Sequence, residues 1–242
     1  PSCSSNGNFS ALWCNALNRC TAGDYTHFAM MHTDIEVLEE EAGKRWADIL
    51  IEELENNDAA FVSVPNAIKD ERGLSSSGIG NPETRWNPWR RFAVRELASF
   101  PMTFTAGDIG YGDKYLLHNN ALCMFDMRNP AWYVPTDDGS CRLVFNYTQN
   151  IKHIDGRWQC MQDSEDWATS RSMWEMGVKT IITRRIKLNH RGEIWYSNFG
   201  DWGTQETDVD TKPQWGNDKK PEPAPIRLVN PLTARYGLLV SR

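Results

Sequence analysis

The sequence lacks the features that mark membrane proteins and nucleic-acid-binding proteins. Its longest apolar runs are of strand length, far short of the roughly 20 residues that a membrane-spanning helix needs. Acidic residues outnumber basic residues by 32 to 26, which gives a net charge of -6, and no basic stripe occurs along the chain. Because phosphate backbones are bound by basic surfaces, nucleic acid is not expected as the main partner.

Signals for secretion and for metal-binding cysteine motifs are also missing. No basic segment followed by an apolar one opens the sequence. We therefore expect a cytoplasmic protein, with secretion left open because the chain starts at Pro1 rather than at Met. The six cysteines are scattered without a C-x-x-C pair, which argues against a zinc ribbon or a thioredoxin-type site and favours reduced, structural thiols.

The first part of the chain alternates between helical and strand patterns. Apolar residues at helical spacing predict a helix over 8–20, and a strand is predicted over 27–32. A second helix is predicted from Val37 to Leu54, followed by a strand from Ala59 to Val64 that ends at a proline. Strand, helix and strand in this order are typical of a parallel βαβ unit.

The rest of the chain is predicted to be richer in strands. A long loop is expected over Pro65–Pro88, then a helix that begins at Asn87-Pro88 and ends near Ser99. Further elements are predicted as follows: a glycine-rich turn over 107–113, strands over 121–126, 143–148 and 151–159 with a hairpin turn at Asp155-Gly156, a helix over 165–176, and a strand over 179–187. The polar, proline-rich segment 203–242 is expected to form an extended arm outside the domain 1–202.

The stretch FAMMHTDIEV, residues 28–37, ends an apolar strand on polar chemistry. His32 and Asp34 are two residues apart, so in an extended backbone their side chains point the same way and can share one ion. A carboxylate with an imidazole suits Mn²⁺, and a carboxylate with diphosphate oxygens and water also suits Mg²⁺. The alternative is that Asp34 or Thr33 caps a helix that begins near Glu36.

A second group of acidic residues lies more than a hundred residues further along the chain. Asp163, Glu165 and Asp166 stand at the start of the helix predicted over 165–176. Carboxylates there complement the positive end of the helix dipole, so a purely structural role explains them equally well. The strand after this helix leads to His190.

The order of these motifs resembles that of the GT-A glycosyltransferases. The resemblance covers roughly residues 8–200 and rests on the acidic motif in THFAMMHTDI, the strand in LLHNNALCMFDMR, the helix start in SEDW and the strand that ends near histidine. It implies an α/β fold: one Rossmann-like domain whose mixed, mostly parallel central sheet is flanked by helices. It also implies transfer of a sugar from a nucleotide-diphosphate donor to a hydroxyl acceptor, such as a carbohydrate, with inversion.

The resemblance also implies roles for individual residues. Asp34 matches the last acid of the family's metal-binding D-x-D motif, and His32 stands where its first aspartate usually is. Asp34 and Thr33 would then lie at the donor's diphosphate, with a metal site made of Asp34, His32 and His190 that holds Mn²⁺ or Mg²⁺. Asp166 or Glu165 matches the catalytic base, and Asp166 is the preferred one.

GT-A proteins start with a strand, a helix and a strand that hold the nucleotide base, and this part is expected to be short here or to precede Pro1.

Two other functions are compatible with the sequence. A nucleotidyltransferase would normally carry a basic, glycine-rich phosphate loop, which these residues do not contain. The 11 tryptophans leave a non-catalytic carbohydrate-binding protein on a similar scaffold as a further possibility. The donor sugar, the linkage and the oligomeric state are not predicted.

Overall fold

The computed structural model describes residues 5–39, 43–83, 85, 89–112, 114–154 and 156–205. The helices are α1 Ser5–Thr21, α2 Trp46–Asn57, α3 Val94–Leu97 and α4 Glu165–Glu175. The strands are β1 His27–Met31, β2 Ile35–Glu39, β3 Phe61–Ser63, β4 Leu74–Ile79, β5 Arg90–Ala93, β6 Thr103–Phe104, β7 Leu116–Leu117, β8 Leu122–Asp126, β9 Thr148–Ile154, β10 Arg157–Asp163, β11 Thr180–Thr183, β12 Lys187–Arg191 and β13 Trp195–Ser197.

A mixed five-stranded sheet forms the centre of the fold. Its strand order is β1-β8-β3-β11-β6. Only β3 and β11 pair in parallel, whereas β1 with β8, β8 with β3, and β11 with β6 are antiparallel. The prediction of an α/β protein with a mixed sheet is confirmed. The prediction of mostly parallel pairing is wrong, because β8 returns between β1 and β3 and separates the two strands of the expected βαβ unit.

Helices cover both faces of this sheet, so its strands are buried on both sides. On one face Phe61 and Phe125 pack with Trp13 of α1, which is 1% exposed. On the other face Val62 packs with Leu50 of α2. Neighbouring residues along a strand point to opposite faces, so the adjacent pair Phe61 and Val62 contributes to both cores.

Two small antiparallel sheets and a hairpin complete the fold. One small sheet has the order β13-β12-β2, and the other has the order β5-β4-β7. Strands β9 and β10 form a separate two-stranded hairpin. This hairpin confirms the turn predicted at Asp155-Gly156, of which Asp155 lies outside the described residues. In the first small sheet, β2 pairs with β12, and this pairing places the turn between β1 and β2 next to the end of β12.

The helix predicted from Val37 is wrong in its first part. Residues 35–39 form β2, which pairs with β12, and α2 begins only at Trp46. Ile35 and Val37 alternate with acidic residues, which fits a strand as well as the start of a helix. Pairing with a strand about 150 residues away decides between the two, and local periodicity does not reveal it.

Other boundaries also differ from the prediction. The loop expected over 65–88 contains β4, and the helix expected up to Ser99 is replaced by β5 and the single-turn helix α3. Residues 143–147 form no strand, and β9 begins at Thr148. The strand expected over 179–187 is split into β11 and β12. β12, for example, pairs with β2 about 150 residues away, so its own sequence carries a weak signal.

The remaining predicted elements are confirmed: α1, β1, β3, β8 and α4 lie where the sequence places them, within a few residues at each end. The predicted C-terminal arm lies outside the described residues from residue 206 onward. In the described part of the chain, no helix has both the length and the apolar character needed to cross a membrane.

Candidate active site

Asp34 lies in a tight turn between two strands. After β1 ends, the His32 amide donates to the Ala121 carbonyl at 2.8 Å, and the Ile35 amide donates back to the His32 carbonyl at 3.2 Å. β2 starts immediately afterwards. The alternative in which Asp34 or Thr33 caps a helix is therefore wrong, because α2 starts at Trp46, twelve residues after Asp34, with Arg45 as its N-cap residue.

The pairing of β2 with β12 brings His190 to this turn. Ile35 is the register partner of His190, and the Arg191 amide donates to the Asp34 carbonyl at 2.8 Å. As a result, His190 Nε2 lies 3.2 Å from Asp34 Oδ2, although the two residues are 156 positions apart in the chain. The sequence hypothesis required this contact.

His190 has polar neighbours at both ring nitrogens. Its Nδ1 lies 2.8 Å from the Ala67 carbonyl, which favours a proton on Nδ1, and 3.0 Å from Asn66 Nδ2, a donor that favours the proton on Nε2 instead. Burial lowers the pKa of His190 below its usual value, so the ring is neutral at pH 7. Its Nε2 lies 3.2 Å from the Asp34 carboxylate, and in the tautomer with the proton on Nδ1 this nitrogen has a lone pair that a metal ion between the two groups could use. Metal-binding histidines commonly hold their second nitrogen against a carbonyl in this way.

The ring of His32 lies within electrostatic range of Asp34 and His190. Its ring stacks on Phe9 of α1, with the ring centroids 5.1 Å apart. Its Nε2 atom is buried and makes no hydrogen bond within the described part of the chain. Burial lowers the pKa of the His32 ring below its usual value, and the charge of Asp34, which acts to raise this pKa, does not offset the effect of burial. A neutral imidazole with an unpartnered nitrogen is the form that binds a metal ion.

The side chains around Asp34 do not form a complete metal site by themselves. Among the described residues, no group of three or more His, Cys, Asp or Glu side chains is arranged to hold a metal ion. The buried, unpartnered His32 Nε2 and the contact between Asp34 and His190 are the groups that would hold a divalent cation, whose shell donor phosphates and water would complete. Thr33 is exposed in the same turn.

A lysine forms an ion pair with the central carboxylate of this site. Lys69 Nζ lies 2.5 Å from Asp34 Oδ2, the same oxygen that faces His190. Partial burial alone would raise the pKa of Asp34, but the hydrogen bond from Lys69 and the neighbouring charges outweigh it, so the pKa lies below its usual value. Asp34 is therefore ionised at neutral pH.

Asp166 lies at the start of α4, crowded by protein but not fully closed off from solvent. The Asn120 amide donates to its Oδ1 at 2.9 Å, and Asn119 Nδ2 donates to its Oδ2 at 3.3 Å. Burial and the neighbouring Glu165 raise the pKa of Asp166 to about 8, against a smaller lowering by the Asn120 amide. A carboxyl group with such a pKa can exchange a proton with substrate near neutral pH.

The structure distinguishes Asp166 from Glu165, which the sequence left as alternatives. Asp166 is held by two asparagines that fix the position of its oxygens. Glu165 is the preceding residue, and burial also raises its pKa, against a smaller lowering by a hydrogen bond from its own backbone amide; no other residue orients its carboxyl among the described contacts. A general base must be held in place, so Asp166 is the better candidate.

A chain of polar contacts connects Asp166 to the Asp34 and His190 pair. Asn119 Nδ2 contacts Asp166 and also donates to Ser76 Oγ at 2.5 Å. Ser76 Oγ donates to the Asn66 carbonyl at 3.4 Å, and the side-chain amide of Asn66 lies 3.0 Å from His190 Nδ1. The two acidic clusters are thus on one polar network, although Asp166 itself does not contact the first cluster.

Sequence reasoning missed Asn66, Ser76, Asn119 and Lys69. Ser76 lies in β4, within the stretch that was predicted to be a loop, and Asn66 and Lys69 lie between β3 and β4. The polar pair Asn119-Asn120 lies just before the buried strand β8, and this position was the one feature of the sequence that could have indicated a functional role. The other residues carry no signal, because their role follows from strand pairing.

Asp163 has a different role from the other two acids of its group. Its side chain is 0% exposed and is paired with Arg171 and Arg85. These arginines border a groove of about 610 Å³ beside α4, which neither Asp34 nor Asp166 lines. Asp163 is therefore a structural counter-ion for this groove.

The tryptophans that could stack on sugar rings separate into two groups. Trp132 and Trp202 are 3% and 2% exposed and belong to the core. Trp167, next to Asp166, donates from Nε1 to the Ser76 carbonyl at 3.3 Å, and Arg91 lies over its ring. Trp89 is 52% exposed, and Trp86 lies outside the described residues. Trp167 is the candidate closest to the proposed base.

No family model, no curated protein and no solved structure matches this chain.

Proposed function

We propose that this protein is a GT-A-type glycosyltransferase that moves a sugar from a nucleotide-diphosphate donor to a hydroxyl acceptor with inversion. The observation that carries the proposal is the 3.2 Å contact between Asp34 and His190, which joins two motifs 156 residues apart. The capping role that competed for Asp34 does not apply, since α2 begins at Trp46. A functional role is then the better explanation for a polar cluster at this strand end.

In the proposed reaction, Asp34 and His190 would hold Mn²⁺ or Mg²⁺ at the donor's diphosphate, with His32 beside them. When bound, the cation supplies charge neutralisation for the departing diphosphate. The neutral rings of His190 and His32 and the ionised carboxylate of Asp34 are the protonation states that this role requires.

Asp166 would act on the acceptor. Its carboxylate takes the proton of the acceptor hydroxyl while the hydroxyl oxygen forms a bond to the anomeric carbon of the donor sugar. The bond from that carbon to the diphosphate oxygen breaks, and the nucleoside diphosphate leaves with the electron pair. Asn119 and Asn120 position the carboxylate, and Trp167 offers a ring face for the acceptor sugar.

Thermal unfolding tests the donor site directly. We expect MnCl₂ together with a nucleoside diphosphate, screened as UDP, GDP, ADP and CDP, to raise the Tm by about 5–10 °C at a hundredfold excess over Kd, because only the folded state binds. Either addition alone should give a smaller shift. Asp34→Asn should abolish the combined effect, because the carboxylate that binds the cation is lost.

Asp24→Asn is the matched control, since Asp24 is 52% exposed and pairs with Arg19 on the surface. It should keep the full shift. An undiminished shift in Asp34→Asn would refute the metal assignment. A Tm that responds to oligosaccharides but ignores manganese and every nucleotide would instead indicate a carbohydrate-binding protein.

A further inference from the structure

Lys69 occupies the position of a cation in the candidate donor site. Its ammonium lies 2.5 Å from Asp34 Oδ2, and the same oxygen lies 3.2 Å from His190 Nε2. The loop that carries Lys69 also provides Ala67, whose carbonyl holds the opposite nitrogen of the His190 ring. The lysine therefore belongs to the immediate surroundings of the proposed metal ligands.

The turn after β12 leaves room for the lysine stem. A Cβ atom built on Gly192 would lie 3.3 Å from Lys69 Cδ and 3.0 Å from Tyr196 Cε2. The absence of a side chain at position 192 thus allows the methylene groups of Lys69 to lie against the turn. From there the ammonium reaches Asp34, and the side chain keeps enough exposure, 36%, to move.

We propose that Lys69 is an internal counter-ion that a divalent cation must displace from Asp34, and that its ammonium then pairs with the donor's diphosphate. This inference rests on the proposed function. An ammonium at 2.5 Å from Asp34 Oδ2 weakens the binding of a divalent cation to the same oxygen, because two positive charges in a partly buried site repel each other. The diphosphate removes this conflict, since it brings negative charge for both cations.

A purely structural role for the ion pair is the weaker explanation. Exposed ion pairs contribute little to stability, and both partners here are about one third exposed, 36% for Lys69 and 35% for Asp34. The pair also takes up the carboxylate oxygen that His190 faces. A surface ion pair kept only for stability would not need to lie among these groups.

The consequence is cooperative binding of metal and diphosphate. Metal alone has to break the contact between Lys69 and Asp34, whereas metal with diphosphate gives the freed ammonium a new partner. Each ligand therefore increases the affinity for the other, and this coupling is reciprocal.

Lys69→Met tests the inference, because it removes the ammonium and keeps an unbranched apolar stem. By titration calorimetry, we expect the variant to bind Mn²⁺ alone about 10-fold more tightly than the wild type, within the usual range of coupling between sites. The additional Tm shift from inorganic pyrophosphate at saturating MnCl₂ should be smaller in the variant. Lys69→Arg should behave like the wild type because it keeps the positive charge.

Lys44→Met is the matched control, since Lys44 forms a surface ion pair with Glu52 at 2.8 Å, away from the site. It should leave Mn²⁺ affinity unchanged. The inference is overturned if Lys69→Met binds Mn²⁺ no more tightly than the wild type while the wild type still shows the joint effect of metal and pyrophosphate. If neither protein responds to Mn²⁺ with or without pyrophosphate, the proposed function fails as well. Should Lys69→Met not fold, Lys69→Gln takes its place with the same expectations.

Discussion

At the scale of single residues, the surroundings of Asp166 determine what its carboxyl group can do. Two asparagines fix its oxygens, while burial and the neighbouring Glu165 raise its pKa to about 8. No lysine or arginine pairs with it among the described contacts. Asp163, three positions earlier, is by contrast neutralised by two arginines. The same residue type thus has different chemistry at the two positions because its charge is compensated at only one of them.

This difference predicts a pH dependence of turnover. A base acts only when deprotonated, so kcat/KM should rise about tenfold per pH unit below the Asp166 pKa of about 8 and level off above it. Asp166→Asn should lower turnover by about 10²–10⁴-fold and remove this rise, because no base is left. Release of nucleoside diphosphate from sugar nucleotides, measured from pH 5 to 9, provides the readout.

Glu165→Gln is the control for this experiment. It removes the neighbouring negative charge and keeps the base, so the rise should persist with its midpoint at a lower pH. Loss of the manganese and nucleotide Tm shift in Asp166→Asn would mean that Asp166 belongs to the donor site instead. Full activity of Asp166→Asn would exclude it as the base.

At the scale of elements, close approach of strands positions the residues between the two clusters. β4 carries Ser76, which connects Asn119 to Asn66, and it pairs with β5 on one side and β7 on the other. Gly78 allows this pairing, since a Cβ atom there would lie 2.2 Å from the Arg90 carbonyl oxygen. Backbone atoms cannot move aside as a flexible side chain can.

Gly78→Ala should therefore separate β5 from β4 and lower the free energy of unfolding by about 1–3 kcal/mol or more, as overpacking does. Urea unfolding followed by tryptophan fluorescence measures this change. Gly107→Ala serves as the comparison, because the nearest atom to a new Cβ there, Thr105 Oγ1, is 3.6 Å away. We expect that variant to stay within about 0.5 kcal/mol of the wild type. Equal stability of the two variants would show that β4 and β5 can separate without cost.

At the scale of the whole molecule, α1 connects one core of the central sheet to the candidate site. Trp13 is 1% exposed and contacts the rings of Phe125 and Trp132. One turn earlier on the same helix, Phe9 stacks on His32. The helix that closes this face of the sheet therefore also holds an imidazole of the proposed metal site.

Trp13→Ala should lower the free energy of unfolding by about 3–5 kcal/mol, as expected for a buried aromatic side chain. Chemical denaturation checks the value. Leu12→Ala, at a neighbouring position that is 50% exposed, should cost no more than about 0.5 kcal/mol. Similar losses in both variants would mean that α1 does not pack as described. Where Trp13→Ala still folds, its manganese and nucleotide response should also weaken, because Phe9 no longer holds His32 firmly.

The sequence by itself determined the elements whose residues carry a strong local pattern. The helical spacing around Trp13 predicted α1, the apolar run before His32 predicted β1, and the acidic start with Gly177 at the end predicted α4. These signals are local because the burial of one helix face, or of a whole short strand, produces a hydrophobic pattern within a short stretch of sequence. The order of the motifs also indicated that residues near 34 and 190 belong together.

Only the tertiary structure decided how these motifs meet. β2 is a strand because it pairs with β12, and that pairing, rather than any property of residues 35–39 alone, places Asp34 beside His190. In the same way, Lys69 reaches Asp34 through a loop whose sequence gives no sign of it. Contacts between segments so far apart depend on strand order and register, which are set by packing of the whole chain and leave little trace in any local stretch of sequence.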